Sequence, residues 1–220
     1  GRYLPGSVWH LLGRVYLGQR AGVGRGSGAL GVVLEQSLQL LGALLLVTLT
    51  LPFWPAGSAV RSWAWLAALV PLGFIGIHPA LFFPLLNRTL TLIGREPVPP
   101  TLRYRTMLGY LTRYLSIHLA NGLALGFAVL ALGMPLSIIP AVVGAALFAW
   151  TVGYLTVLAP GGLGLREWLV TAVLGPLLGL EVAAAGAILW RAANIVTEAL
   201  GAVGFDLLGR VIGSNGIGKT

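Results

Sequence analysis

The sequence predicts an all-α membrane protein, a bundle of transmembrane helices interrupted by short helices that begin after Pro-Gly pairs. Hydrophobic residues make up 57% of the 220 residues, charged residues only 9%, and the mean hydropathy is +0.89. A soluble domain needs far more charge to cover its surface. The apolar residues also fall into runs of ~20 residues, the length that crosses a bilayer as a helix.

Five runs are long enough to span the bilayer: 29–51, 63–86, 107–131, 137–159 and 183–208. In the second run, His78 sits beside Pro79, which indicates a broken helix. Two shorter segments, 7–18 and 163–179, follow Pro-Gly breaks. At ~1.5 Å per residue, the first covers part of the bilayer core and the second is barely long enough to span it. The proline-rich stretch 87–105 is predicted to be the longest polar connection.

The distribution of Arg and Lys predicts which loops face the cytoplasm. If the loop 19–28 is cytoplasmic and every later segment crosses, the outside loops hold only Arg61. The inside regions then hold eight basic residues, namely Arg20, Arg25, Arg88, Arg95, Arg103, Arg105, Arg210 and Lys219. If 163–179 instead dips in and returns, the last two move outside and the count becomes six to three. The crossing arrangement is preferred, and it predicts a multi-pass protein of the inner cell membrane.

Several functional classes are not expected from these residues. The net charge of +8 does not indicate nucleic-acid binding, because the arginines are scattered between apolar runs and suit loops beside an anionic leaflet. The chain has no cysteine, which excludes thiolate metal sites, and its histidines lack metal-ligand spacing. The glycine pattern at 22–31 follows no predicted strand, so a dinucleotide site is not expected. We therefore expect neither a metal nor a cofactor.

The two ends of the chain carry separate expectations. The chain opens on "GRYLPGSVWH" with Gly rather than Met, which indicates a fragment whose first membrane segments are missing. Its end, "GSNGIGKT", matches the phosphate-loop pattern G-x-x-x-x-G-K-[ST] from Gly213 to Thr220. A working loop of this kind needs a strand before it and a helix after it. Residues 211–220 are therefore predicted to be a cytoplasmic tail; the alternative is the start of a fused ATPase.

The stretches "LPGSVWHLLGRVYLG" (4–18) and "APGGLGLREWLVTAVLG" (159–175) share a pattern. Each has Pro-Gly, then a helix carrying an aromatic residue and Arg, then Leu-Gly. In the predicted topology they run in opposite directions, as in an inverted repeat, where transporters place broken helices at the binding site. The free amides of the second short helix, beside Arg166, suit a phosphate headgroup. The alternative is a tight cytoplasmic turn in which Arg166 and Glu167 form a local ion pair.

Three long helices carry polar residues at helical spacing, so that each set shares one face. The sets are Arg191, Asn194 and Glu198; Glu35, Gln39 and Gly42; and Arg113 with Asn121. Polar stripes in lipid are expected to face the bundle interior or a cavity, where they would line a path for a headgroup. The alternative is that Glu35 pairs with Arg113 or Arg191 only to hold the helices together.

The motifs "GRYLPGSVWHLLGRVYLGQRAG" and "APGGLGLRE" resemble the lysylphosphatidylglycerol synthase transmembrane region, or flippase-like domain family, over roughly 1–210. The resemblance implies a lipid translocase rather than an enzyme, which moves an anionic or zwitterionic phospholipid or glycolipid between leaflets. The best-known relatives move aminoacylated phosphatidylglycerol, but no aminoacyltransferase domain is recognised in these residues, so a lysyl headgroup is not predicted. The substrate-binding residues implied by the motifs are Pro5, Gly6, Arg14, Pro160, Gly161, Gly162, Gly164, Arg166 and Glu167. The polar stripes add Glu35, Arg113, Arg191, Asn194 and Glu198.

Two other functions stay open at this point. One is an accessory membrane subunit that recruits or stabilises a lipid-synthesising enzyme. The other is the membrane part of an ATP-driven exporter, truncated at its nucleotide loop. The expected partners are membrane lipids, with a lipid-modifying enzyme or a second copy of the chain as alternatives, and no nucleic acid.

Overall fold

The computed structural model describes residues 16–20, 24–54, 61–92, 94–156 and 164–216, with the single positions 13, 22 and 58. All regular structure in these ranges is helical, which confirms the all-α prediction. Residues 16–20 are α-helical, and the α-helices with both ends described are α1 (Arg25–Thr50), α2 (Leu69–Gly76), α3 (Pro79–Leu92), α4 (Tyr104–Ala131), α5 (Ile139–Leu155), α6 (Leu165–Leu178) and α7 (Leu180–Gly216). Shorter 3₁₀ segments are Leu51–Phe53, Arg61–Ala68 and Leu136–Ile138.

Four stretches are long and apolar enough to cross a membrane, namely Gly26–Phe53, Tyr104–Ala131, Leu136–Leu155 and Leu180–Gly204. They coincide with four of the five predicted spans, and the protein is a multi-pass membrane protein. Helix α7 continues beyond its predicted end to Gly216, so the helix reaches into the predicted tail. Residues 217–220 lie outside the described residues.

The remaining predicted span, 63–86, is a broken segment, which confirms the break predicted at His78 and Pro79. The chain bends by 85° between Arg61–Gly76 and Pro79–Leu92, at the break that the His78–Pro79 pair predicts. The amides of Leu81 and Phe82 both bond to the carbonyl of His78, and this turn starts α3. Because α3 runs on to Leu92, the connection predicted at 87–105 is shorter than expected.

The arm before this bend is long enough to cross the membrane by itself. It contains eight residues of 3₁₀ helix followed by the eight residues of α2. At ~2.0 Å and ~1.5 Å of rise per residue, the two pieces cover about 28 Å, close to the ~30 Å of the hydrocarbon core. With this arm along the membrane normal, the 85° turn places helix α3 near the plane of the membrane.

Helices α1 and α4 run in the same direction. Leu30 and Leu34 in the first half of α1 share a hydrophobic cluster with Met107 in the first half of α4. Val47 in the second half of α1 belongs to another cluster, with Leu125 in the second half of α4. The broken segment between these helices consequently returns the chain across the membrane once, as the predicted topology requires.

Helix α5 lies at the centre of the bundle, and residues 141–149 are all buried. Glycines on α4 let α5 approach this helix closely. A Cβ added to Gly122 would lie 2.8 Å from Val143, and one added to Gly126 would lie 2.9 Å from Ile139. Van der Waals packing across small residues is the main attraction between helices in lipid, so these contacts fix α5 against α4.

Candidate functional site

An ion pair joins α6 to α7. Both Glu167 and Arg191 lie twelve residues from Gly179, the residue at which the chain reverses between these helices with φ 86°. The hairpin therefore brings the two residues level, about 18 Å from the turn. Arg191 Nε lies 3.3 Å from Glu167 Oε1. Arg191 is also near the middle of the span Leu180–Gly204, so the pair lies well inside the membrane-spanning region.

The pair lies at the beginning of α6. Gly164 precedes this helix with φ 79°, a left-handed backbone conformation that favours glycine, and Glu167 lies in the first turn. The free amides and the helix dipole favour negative charge at this end. Glu167 Oε2 is buried and accepts no hydrogen bond from the residues that the structure describes. The start of α6 is thus a polar position inside the bundle, level with the middle of α7.

Arg166 lies beside this pair and packs against the central helix α5. A Cβ added to Gly153 would lie 2.9 Å from Arg166 Cγ and 3.0 Å from its Nε, so this glycine makes room for the half-buried arginine. The first turn of α6 and the facing turn of α7 therefore bring together two arginines and one glutamate, with a net charge of +1.

A chain of hydrogen bonds extends the polar region from α7 to α4. Asn121 Nδ2 donates to Asn194 Oδ1 at 2.9 Å, and Asn194 Nδ2 donates to the carbonyl of Trp190 at 2.9 Å. Trp190 Nε1 in turn donates to the carbonyl of Asn121 at 3.1 Å. We refer to Arg166, Glu167, Arg191, Asn194 and Asn121 as the polar cluster.

A second polar set lies where α1 faces α4 and α5. Gln39 Nε2 donates to Glu35 Oε1 at 2.9 Å, so the predicted shared face of these two residues is confirmed. His118 Nε2 lies 2.9 Å from the carbonyl of Gln39, and it must donate there because a carbonyl only accepts. The His118 ring meets Trp150 edge-on, and Trp150 stacks on Tyr154, which interacts electrostatically with Glu35.

Two candidates from the polar stripes lie in a different environment. Arg113 is exposed on α4, where its guanidinium carbon lies 5.3 Å from the centre of the Tyr110 ring of the same helix. Glu198 is exposed on α7. These two side chains do not share the half-buried surroundings of the polar cluster, and their predicted role in substrate binding stays a prediction.

The remaining candidates are residues of the Pro-Gly motifs. Pro5, Gly6, Arg14, Pro160, Gly161 and Gly162 lie outside the described residues. The inverted repeat, which rests on these motifs, also stays a prediction.

The comparison with known families places the polar cluster in context. The model of one family, described as the lysylphosphatidylglycerol synthase TM region, matches residues 3–201. The chain belongs to this family. The match confirms the resemblance, and this TM region includes both Pro-Gly motifs and the whole polar cluster. No curated protein and no solved structure matches the chain.

Three residues of this TM region contribute to the polar region without being expected from the sequence. Gly153 accommodates Arg166, Trp190 links α7 to α4, and Tyr154 interacts with Glu35. Gly153 and Tyr154 are adjacent on α5, so this helix contacts both polar sets. For Gly153 and Tyr154, the signal in the sequence is that a glycine and a tyrosine interrupt a strongly apolar run. This pattern is also common in helices whose role is packing alone.

Proposed function

We propose that the protein moves a lipid with an anionic or zwitterionic headgroup between the two leaflets of the inner cell membrane. The observation that carries this proposal is the meeting of Arg166, Glu167 and Arg191 at the start of α6, inside the membrane-spanning bundle. A charged residue at the centre of a membrane helix costs ~2.5–3.5 kcal/mol or more. Such residues are rarely kept at that depth unless a substrate or ion uses them.

The charges of the cluster suit a phosphate group. Arg166 and Arg191 each present a planar guanidinium, which matches phosphate oxygens, and the amides at the start of α6 add further donors. In the structure Arg191 is paired with Glu167, so an incoming phosphate competes with the Glu167 carboxylate for this arginine. The competition keeps binding moderate, which favours release in the opposite leaflet. The proposal includes no covalent step and no cofactor.

Partial exposure gives a headgroup access to the cluster. The side chains of Arg191 and Glu167 are 22% and 21% exposed, so they are neither sealed in the core nor spread on the surface. Asn121 and Asn194 add neutral hydrogen-bonding groups on the α4 side. A headgroup that enters along α7 therefore meets charged and neutral partners in succession.

The proposal is tested with the protein in liposomes that contain fluorescent phosphatidylglycerol or a fluorescent uncharged lipid. Dithionite added outside destroys the outer-leaflet signal, and the remaining signal falls only as lipids cross. We expect the wild type to expose inner-leaflet phosphatidylglycerol, and Arg191→Gln to slow this about tenfold, as for a barrier raised by ~1.4 kcal/mol. Arg105→Gln, which removes an exposed arginine from the first turn of α4, should match the wild type.

Two results would count against the proposal in different ways. Equal rates for Arg191→Gln and the wild type, both faster than empty liposomes, would place lipid movement elsewhere in the protein. Rates no faster than empty liposomes for every folded variant would exclude transport of the tested lipids. The accessory-subunit function would then be preferred, and the substitutions should instead weaken assembly with a lipid-synthesising enzyme.

A further inference from the structure

An apolar groove lies on the side of α1 that faces the broken segment. It has a volume of about 520 Å³ and runs between α1, α2 and α3. Its walls include Val33, Leu40 and Leu44 from α1, Gly76 from α2, and Phe82 and Leu85 from α3. The groove exists because α2 presents glycines to α1 at this level, and a Cβ added to Gly76 would meet nothing within 4 Å.

The groove offers no free polar group to a ligand. Its two hydroxyl side chains, Ser37 and Thr89, each donate to a carbonyl of their own helix, Val33 O at 2.9 Å and Leu85 O at 3.0 Å. A polar ligand would lose its hydration there without replacement, which is unfavourable. Because α1 is a membrane span, the medium at the level of the groove is hydrocarbon. The chemistry of the lining therefore fits an acyl chain.

A positive charge lies at the rim of this groove. Leu81, Leu85, Arg88 and Leu92 are all exposed and follow one another at helical spacing along α3. Leu85 also lines the groove, so Arg88, one turn further along α3, lies beside it. Since α3 follows the arm that is long enough to cross the hydrocarbon core, its exposed leucines meet the acyl boundary, and the long side chain of Arg88 reaches from among them to the headgroups.

We propose that the groove binds one acyl chain of an anionic phospholipid, whose phosphate pairs with Arg88. The combination of an apolar groove in a membrane span with a cation at its headgroup end matches the two parts of such a lipid. This arrangement favours a lipid over a second copy of the chain, because the rim would place Arg88 in an apolar contact between copies.

This lipid site is separate from the polar cluster, which lies on α4, α6 and α7, and from the second polar set on α1. Glu35 and Gln39 face α4 and α5, whereas Ser37 and Leu40 face the groove. Two residues along a helix correspond to about 200° of rotation, so Glu35 and Ser37 point to opposite sides of α1. A lipid held in the groove is therefore a resident lipid that packs the broken arm against α1, and it does not depend on the proposed transport.

The test is direct measurement of lipid binding to the detergent-solubilised protein by native mass spectrometry. The probes are palmitoyl-oleoyl phosphatidylglycerol and the corresponding phosphatidylcholine. We expect one phosphatidylglycerol to bind more tightly than phosphatidylcholine. Gly76→Leu, which fills the groove, should weaken the binding of both lipids about tenfold. This is the loss expected when two methylene groups of the acyl chain are no longer buried. Arg88→Gln should weaken phosphatidylglycerol alone, to the level of phosphatidylcholine.

Two matched variants serve as controls. Gly109→Leu adds the same side chain at an exposed position of α4 with open space around it, and Arg105→Gln removes another exposed arginine. Both should bind lipid as the wild type does. If Gly76→Leu does not fold, Ser37→Leu narrows the groove from the α1 side and leaves α2 unchanged.

Three results would overturn the proposal. Unchanged binding in the folded groove-filling variant would exclude the acyl-chain site. A preference for phosphatidylglycerol that survives Arg88→Gln would exclude the phosphate contact. A change from dimer to monomer in Gly76→Leu without any change in lipid binding would make the groove an interface between two copies. None of these results depends on whether the protein moves lipids in liposomes.

Discussion

The ion pair between Glu167 and Arg191 is expected to stabilise the α6–α7 hairpin by a measurable amount. At 3.3 Å, two unit charges attract each other by about 5 kcal/mol if the effective dielectric constant is ~20. The side chains keep about a fifth of their exposure, and both lost hydration on reaching this position, which offsets more than half of the attraction. We therefore expect a coupling energy of about 2 kcal/mol.

The coupling is measured with a double-mutant cycle on the free energy of unfolding in mixed detergent micelles. Glu167→Gln and Arg191→Gln each leave one charge without its partner, so each should lower the free energy of unfolding by about 2 kcal/mol. The double variant removes both charges and should also lose about 2 kcal/mol, not the 4 kcal/mol that independent sites would give. Exchanging the two residues should restore little of the lost free energy of unfolding, because the exchange places an arginine beside Arg166 at the positive end of α6.

Additive losses in this cycle, to within ~0.5 kcal/mol, would show that Glu167 and Arg191 do not interact, because two side chains in contact cannot act independently at this depth. The matched control is a cycle between Arg191→Gln and Glu181→Gln. Glu181 is an exposed acidic residue ten positions away on the same helix, about 15 Å along its axis. That cycle should be additive, which separates a specific contact from a general effect of net charge.

Two further substitutions test the packing that positions the site. Gly122→Leu should lower the free energy of unfolding by about 2 kcal/mol. The new Cβ would lie 3.2 Å from the Cα of Val143, where only backbone movement makes room. A variant as stable as the wild type would show that α4 and α5 lie further apart than this distance. Asn87→Ala removes both hydrogen bonds between this side chain and the backbone of Val98, at 2.8 and 3.0 Å. The Val98 amide should then exchange its hydrogen faster with solvent by about tenfold, and unchanged protection would contradict the contact.

Length and hydropathy were enough to predict four of the spans, because a helix that crosses lipid must be apolar for ~20 residues. For 63–86 the same signal gave neither the 85° bend nor the direction of α3. Helix α3 lies near the membrane plane, yet it buries Phe82, Phe83 and Leu86 against its neighbours, and Leu85 is exposed. Such a helix is as apolar in sequence as a spanning one. Hydropathy carries no information on direction, and only the His78–Pro79 pair marks the break.

The site residues were predicted singly, and their pairing was not. The equal distance of Glu167 and Arg191 from Gly179 is visible in the sequence, but it predicts a contact only if α6 and α7 form a tight hairpin. Helical spacing was also insufficient for Glu198. The same symmetry places Glu198 opposite position 160, before the first residue of α6. Helix α6 does not extend to that level of α7. Glu198 is therefore exposed, although it shares a face of α7 with half-buried Arg191.

Helix α1 separates the two lipid-related regions of the molecule, and this separation restricts what each can do. On one face, Glu35 and Gln39 meet the polar side chains of α4 and α5; on the other, Ser37 is bonded to its own helix and the groove is apolar. A headgroup cannot pass between these faces without crossing Leu38 and Leu41, which are buried in the core. Helix α1 therefore keeps a headgroup at the polar side chains of α4 and α5 apart from an acyl chain in the groove.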